Sequence, residues 1–484
     1  MADRPNIILI ITDQQRFDTI NALGFPHMQT LVLDRLVEEG VSFDKCFVNA
    51  PSCGPSRASL FTGYSPHVNG ALRNQEYWGR TWVNNLRDAG YYCVNLGKMH
   101  AWPPQDMHGF HERFVIENKQ RHTAEANWTG NPYTYFDEWD KALAVRGHRR
   151  LEKLDFVDAP GAEEKLGAYD WWYEDDMHPD VFTGDMAVRW IDNAPPDQDE
   201  PWFLEIGFPG PHPPYDPIKR YTDHYIQMEL PVMPVTRAEM DGQPEALKGL
   251  RQWFTELQAD SIHFVPDAPM EWRQRQRAYY LANVTMIDEK VGEILQALER
   301  AGRLEDSVVI FTSDHGDQMG DHGLCEKWVM YEQSVNVPLI VWSPDRFEGG
   351  RRLDGLCQWF DIGPTVLELA GAELPEKAEA QSLLPGLEGD EFEGREYVFS
   401  EHPDDPVLNT LDWELMIRSR EWKLIEYIGP DEGQLFDLVN DPDELNDLWD
   451  DPAHAERRAD MHRILHEWYI TAADGIKYAW RPGD

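Results

Sequence analysis

Asn6-Ile7-Ile8-Leu9-Ile10-Ile11-Thr12 is an uninterrupted apolar run. A strand that is apolar on both of its alternating faces belongs inside a sheet covered on both sides, which is the habit of a central parallel strand. Trp202 to Phe208, Val308 to Thr312 and Val337 to Val341 read the same way, and Tyr91 to Leu96 reads as a further strand. Helices are expected over Thr30 to Gly40, with Leu33, Leu36 and Val37 inward and Gly40 as the stop, and over Trp82 to Ala89, Val181 to Ile191, Met270 to Ala301 and Asp361 to Leu369. Beyond Gln381-Ser382-Leu383-Leu384-Pro385 the pattern changes to short strands, Glu396 to Ser400, Glu414 to Ser419 and Trp422 to Tyr427, followed by a helix from about Ala453 to Ala472. The expected division is a catalytic unit over 1–385 and a smaller unit over 386–484.

Polar groups arrive where the strands end. Asp13 and Gln14 follow the first run, Lys98 and His100 follow the strand ending at Leu96, His212 sits in Pro209-Gly210-Pro211-His212-Pro213-Pro214, and Asp314 and His315 follow Thr312. Ligand groups in open α/β sheets collect at the carboxyl ends of the strands. Each residue also has a plain reading: Asp13 as a turn cap, Lys98 and His100 as surface groups, His212 as a turn histidine. Asp13, Gln14 and Asp314 make a mostly oxygen donor set, which suits calcium or magnesium better than zinc.

Cys53 stands apart. Pro55 is favoured as the first residue of a helix, so the thiol is expected where free backbone N–H groups and the positive end of the helix dipole converge. Arg57 follows one turn later, with a fork suited to an oxyanion. A buried, inert cysteine capping a core helix is the plainer reading of the same residues.

The formal charge of the 484-residue chain is -43, which argues against nonspecific binding of nucleic acid or anionic membranes, since both depend on Lys and Arg. Folding is not in question at 42% hydrophobic residues. Any anionic substrate therefore needs a local cationic pocket within a repulsive field. No run reaches the length of a membrane span, and Asn6 to Ile11 begins too soon for a signal core. With only five scattered cysteines, the chain as it stands is expected to be cytoplasmic, or periplasmic or secreted if a leader has been removed. Trp102 to Tyr173 is irregular and is expected to form loops. The acidic run Asp441 to Asp451 is expected as a solvated turn, and two sequons, Asn127-Trp128-Thr129 and Asn283-Val284-Thr285, are as many as chance supplies.

Taken together, Cys53-Gly54-Pro55-Ser56-Arg57 with Thr62-Gly63, Gly97-Lys98-Met99-His100, the Pro-His-x-Pro histidine His212, Ser313-Asp314-His315-Gly316-Asp317 with Lys327, and the tail segments Arg420 to Ile425 and Leu435 to Glu444 resemble the type I sulfatases in family order over nearly the whole chain. The resemblance implies an alkaline-phosphatase-like α/β fold, a mostly parallel central sheet flanked by helices, with a smaller C-terminal α+β subdomain built on an antiparallel sheet. It implies that Cys53 is oxidised to formylglycine, and that Asp13, Gln14, residue 53, Asp314 and His315 hold one divalent metal, calcium being favoured over magnesium or manganese. Arg57, Lys98 and Lys327 would neutralise a transferring sulfuryl group, with the hydrated aldehyde attacking sulfur, His212 and Lys327 protonating the departing alcohol, and His100 helping to expel sulfate. The partners implied are a small sulfated substrate or sulfated oligosaccharide and a formylglycine-generating or other maturing enzyme; an oligomer is left open. Phosphonate monoester hydrolases share Cys-Gly-Pro-Ser-Arg and the metal-site Gln, whereas Lys98 and His100 are the sulfatase pair. The same residues leave room for a choline sulfatase and for a non-catalytic protein that holds sulfated glycans in the basic pocket.

Overall fold

The computed structural model describes residues 4–120, 135–193, 200–403, 405, 412–430 and 432–479. The sequon at Asn127-Trp128-Thr129 lies outside these residues. The first sheet contains β1 (Asn6–Asp13), β2 (Val41–Phe47), β3 (Tyr92–Gly97), β4 (Glu112–Val115), β5 (Trp202–Pro211), β6 (Ser307–Ser313), β7 (Asn336–Trp342), β8 (Arg351–Leu353) and β9 (Cys357–Gln358). Its order is β4-β3-β5-β1-β6-β7-β2-β8, with β9 also on β2. Every described pairing is parallel except those of β7, which runs against both β6 and β2.

The apolar run of β1 divides between two faces. Ile7, Leu9 and Ile11 join one core with Phe203, Val308, Ile310, Leu339 and Val341, while Ile8 and Ile10 join another with Leu204, Ile206, Val309, Phe311 and Ile340. Helices α1 (Leu31–Glu39), α3 (Pro179–Asn193) and α4 (Met270–Arg300) cover the second face with Leu33, Leu36, Val37, Trp190, Ile191, Ile287, Val291 and Leu298, and α2 (Cys53–Thr62) and α5 (Ile362–Ala370) cover the first. Burying each such side chain is worth about 1.5–3 kcal/mol, so both faces resist any shift in register. Asn283 is fully buried within α4, so its sequon is inaccessible. Gly40 does stop α1, but with an extended backbone (φ -118); a Cβ there would lie 2.5 Å from the Leu36 carbonyl and 2.7 Å from that of Val341, so close packing is what requires glycine.

The second sheet is antiparallel, in the order β10 (Val398–Pro403), β11 (Trp413–Arg418), β12 (Trp422–Ile428), β13 (Glu432–Asp437). One face carries Met416, Ile425, Tyr427 and Phe436 into the first core, and the other packs Leu415, Ile417, Leu424 and Leu435 on Met461 and Leu465 of α6 (Ala455–Ala472). The acidic run is not wholly solvated. Glu444 is buried and pairs with Lys423 at 2.6 Å.

This topology fixes where the site must be. Strands β1, β3, β5 and β6 are parallel neighbours, so the residues following them emerge on one edge. Two reversals through β7 return β2 to the same direction, so Cys53, just beyond β2, emerges there too. Because β7 runs the other way, that edge receives the segment preceding it, which carries Lys327.

Candidate active site

Cys53 is the first residue of α2, with Ser52 at the N-cap in an extended conformation (φ -152, ψ 135). Pro55 therefore occupies the third helical position, two residues later than expected. Its missing N–H costs nothing there, because the first four donors of a helix have no partner within it. Gly54 N–H donates to Asn74 Oδ1 at 2.8 Å, and Ser56 Oγ donates to the Asp314 carbonyl at 2.7 Å, fixing the helix start against the end of β6.

The Cys53 thiol is fully enclosed by charged groups. Lys327 Nζ lies 3.2 Å from Sγ, His315 Nε2 3.1 Å and Asp13 Oδ1 3.7 Å. Arg57 Nε donates to Asp314 Oδ2 at 2.8 Å and Nη1 donates to the Lys98 carbonyl at 2.6 Å, while Nη2 stands 3.9 Å from Asp13 Oδ2. Lys98 Nζ pairs with Asp13 and donates to Asn118 Oδ1 at 2.8 Å. Gln14 has a left-handed backbone (φ 70); its N–H donates to Asp314 Oδ1 at 3.0 Å, Oε1 accepts from Lys327 Nζ at 2.8 Å and Nε2 donates to Asp317 Oδ2 at 2.8 Å. The backbone N–H of His212 donates to the Asp13 carbonyl at 3.0 Å.

Burial in this enclosure decides which groups carry charge. It pushes the Cys53 thiol up to about 12, with Asp13 adding to the effect, so the thiol is no nucleophile at neutral pH. Burial alone would raise the Asp13 carboxyl, but Lys98, His212, Lys327 and Arg57 hold it well below the usual range. Burial would likewise strip Arg57 of its proton, and Asp314 and Asp13 keep the guanidinium charged. Burial, then Lys327, pull His212 down to about 3; burial and Lys98 hold His100 well below its ordinary value.

The donor chemistry fits a metal ion. Asp13, Cys53, Asp314 and His315 offer ligand atoms within 4.8 Å of one another. His315 Nδ1 lies 3.0 Å from the Gly316 carbonyl, an acceptor only, so Nε2 keeps a lone pair directed at the cluster, 3.8 Å from Asp13 Oδ1.

All ten residues singled out in the sequence, Asp13, Gln14, Cys53, Arg57, Lys98, His100, His212, Asp314, His315 and Lys327, gather in this one cluster, where His212 and His100 both feel the charge of Lys98, Asp13 and Lys327. Sequence reasoning missed Asn118, which holds Lys98, and Asp260, whose Oδ2 is 3.7 Å from His212 Nε2. Both lie on irregular segments without a pattern to mark them.

The chain matches the family described as Sulfatase over residues 5–372, and that described as N-sulphoglucosamine sulphohydrolase, C-terminal, over residues 320–470. It is 29% identical over 476 residues to an arylsulfatase of Clostridium perfringens, covering 96% of this chain and 94% of the relative. It is 26% identical over 527 aligned positions to an N-acetylglucosamine-6-O-sulfatase of Bacteroides thetaiotaomicron, covering 96% and 86%. Among solved structures, the phosphonate monoester hydrolase of Agrobacterium radiobacter superposes with a TM-score of 0.80 at 25% identity, covering 97% of this chain and 96% of that one.

Proposed function

The chain belongs to the sulfatase family and is a sulfuric ester hydrolase, and from that premise we propose that it removes sulfate from a sulfated carbohydrate, using residue 53 as formylglycine. The observation that carries this reading is the position of Cys53 Sγ between His315, Asp13 and Lys327, with Arg57 bound to Asp314 behind it. A thiol offers one nucleophilic atom and, once it has captured a sulfuryl group, no second group on the same carbon to expel it. An aldehyde there supplies, once hydrated, two hydroxyls on one carbon, which a cysteine or serine lacks.

Asp13, Asp314, His315, Gln14 and residue 53 would hold one divalent metal, calcium being favoured by the oxygen-rich set. When bound, the metal supplies positive charge for the transferring group and makes a neighbouring hydroxyl more acidic. The chain's own groups do the rest. Lys98, Lys327 and Arg57 place three cationic side chains around the sulfuryl oxygens, the kind of fixed electrostatic stabilisation that contributes most to such transfers. Asp314 accepts the proton of the attacking hydroxyl, His212 with Lys327 donates one to the departing alcohol, and neutral His100 takes a proton as sulfate is released. Conversion of Cys53 requires a maturing enzyme as a partner, and the division near residue 385 separates this site from the second sheet.

A sugar substrate is supported by the N-acetylglucosamine-6-O-sulfatase relative. The likeness to a phosphonate monoester hydrolase favours a second reading, hydrolysis of phosphonate monoesters on the same scaffold. Matured enzyme assayed on N-acetylglucosamine 6-sulfate, choline sulfate, 4-nitrophenyl sulfate and a phenylphosphonate monoester separates them. The sugar sulfate is expected to have the highest kcat/KM; a phosphonate ester turned over faster than every sulfate would overturn the assignment.

A further inference from the structure

Lys98 is held by its backbone where β3 ends. Its N–H donates to the Gly207 carbonyl at 2.8 Å and its carbonyl accepts from Arg57 Nη1 at 2.6 Å, so the freedom left to the residue is that of its stem. That freedom is large: fixing a lysine side chain forfeits about 2 kcal/mol of rotamer entropy, and its ammonium has no plane to orient it. At the tip, Nζ pairs with Asp13 and donates to Asn118 Oδ1 at 2.8 Å. An ammonium carries three N–H donors, so with two engaged the third has a fixed direction. Asp13 alone would not give that, because a point charge on a single carboxylate swivels about the contact.

Asn118 is itself pinned from both sides. β4 pairs with β3 as far as Val115 and Gly97, the Ile116 N–H donates to the Gly97 carbonyl at 3.2 Å, and the Glu117 N–H donates to Asp137 Oδ2 at 3.2 Å. On the far side, buried Lys119 places Nζ 2.9 Å from Asp216 Oδ1 and 3.4 Å from the Pro214 carbonyl, both in the loop that carries His212, and Gln120 Oε1 accepts from Ser261 Oγ. Asn118 thus stands midway along a strap tied to β3 at one end and to the His212 loop at the other. An ammonium can only donate, so the bond to Nζ also sets the amide, with Oδ1 on Lys98. The acceptor is neutral. An aspartate there would bring a second carboxylate to a cation already facing Asp13, whereas an amide aims the charge and leaves it uncancelled.

We propose that Asn118 is a positioning residue for Lys98, its amide oxygen being the second anchor that turns the remaining Nζ–H of Lys98 towards the sulfuryl oxygens of the substrate. Asn118 acts through Lys98 and not on the reacting atoms. The inference rests on reading Lys98 as a sulfuryl ligand.

The test is a double-mutant cycle in kcat/KM on 4-nitrophenyl sulfate, per mole of formylglycine, for the parent, Asn118→Leu, Lys98→Met and the double variant. Leucine is close to asparagine in size and lacks the acceptor. Asn118→Leu is expected to lose about 10–10²-fold, the scale of a reacting group displaced by an ångström or less, with Tm at the parental value because Asn118 is half-buried at the surface. In the Lys98→Met background the same change is expected to cost no more than about 2-fold, since groups that act as a unit are not additive. No loss in Asn118→Leu, or an equal loss in both backgrounds, would overturn the proposal; an equal loss would mean that Asn118 acts on the substrate or through another group. If Lys98→Met keeps the parental kcat/KM, the reading of Lys98 as a sulfuryl ligand fails, and the positioning role with it. Should the leucine variant lose Tm, Asn118→Ala, which cannot overpack the site, takes its place in the cycle.

Discussion

Replacing Lys423 by methionine removes a buried cation that holds the active-site segment from behind. Lys423 Nζ lies 2.8 Å from Glu332 Oε1 and 2.6 Å from Glu444 Oε1, and donates to the Met330 carbonyl at 3.0 Å, three residues beyond Lys327. In the variant Glu332 keeps Arg418 at 3.1 Å, but Glu444 is left as a buried carboxylate holding only the Glu332 N–H at 2.7 Å. Breaking one side of a buried ion pair costs about 3–5 kcal/mol. Unfolding entropies near 2.1 cal/mol/K per residue give a 484-residue chain roughly 1 kcal/mol per degree, so Tm should fall by about 3–5 °C. Scanning calorimetry at neutral pH measures this. Adding Glu444→Gln removes the stranded charge and should recover part of the loss, while kcat on 4-nitrophenyl sulfate falls in Lys423→Met because the Lys327 segment loses an anchor. A Tm within about 1 °C of the parent, or a double variant less stable than Lys423→Met alone, would refute the argument from a stranded buried charge.

Arg57→Lys should lower kcat/KM on 4-nitrophenyl sulfate by about 10²–10³-fold with the fold intact by circular dichroism, because an ammonium cannot reach both Asp314 Oδ2 and the Lys98 carbonyl. Gly207→Ala would place a Cβ 1.9 Å from the Lys98 carbonyl, where β3 and β5 run side by side, so soluble yield or Tm should fall sharply; a variant with parental Tm would show that the strands are not so close. Buried Glu414 titrates at about 8, raised by burial despite the Met330 N–H. Its folded pKa exceeds the unfolded one near 4.5, so the stability it contributes is complete below about pH 4.5 and is lost as pH rises towards 8. Glu414→Gln should therefore flatten the fall in urea midpoint across that window, and an unchanged slope would contradict the assignment.

Much of the site was legible because strand ends and motif residues coincide. Asp13, His212 and Asp314 follow apolar runs that cannot be anything but central strands, and Cys53 and Arg57 sit one helical turn apart. Strands β2, β4, β8, β9 and β13 escaped, the first two for physical reasons that the structure shows. β2 is broken by Asp44 and Lys45, where its register against β7 shifts between Phe43 and Cys46, and β4 is a short edge strand with a polar start, Glu112-Arg113. The direction of β7 is set by its neighbours, so nothing in Asn336 to Trp342 announces it. Lys423 and Glu444 stood out as tail segments, but their meeting with Glu332 depends on how the second sheet packs against the first. Asp260 depends on a left-handed backbone (φ 46) at a non-glycine position, for which composition gives no warning.

The central claim, that residue 53 must be converted for hydrolysis, is tested most directly by measuring sulfate release from 4-nitrophenyl sulfate in preparations whose fraction of formylglycine at residue 53 is counted by peptide mass spectrometry. The rate is predicted to rise in proportion to that fraction and to extrapolate to zero for the thiol form. A preparation with only the thiol that hydrolyses at the full rate would contradict it.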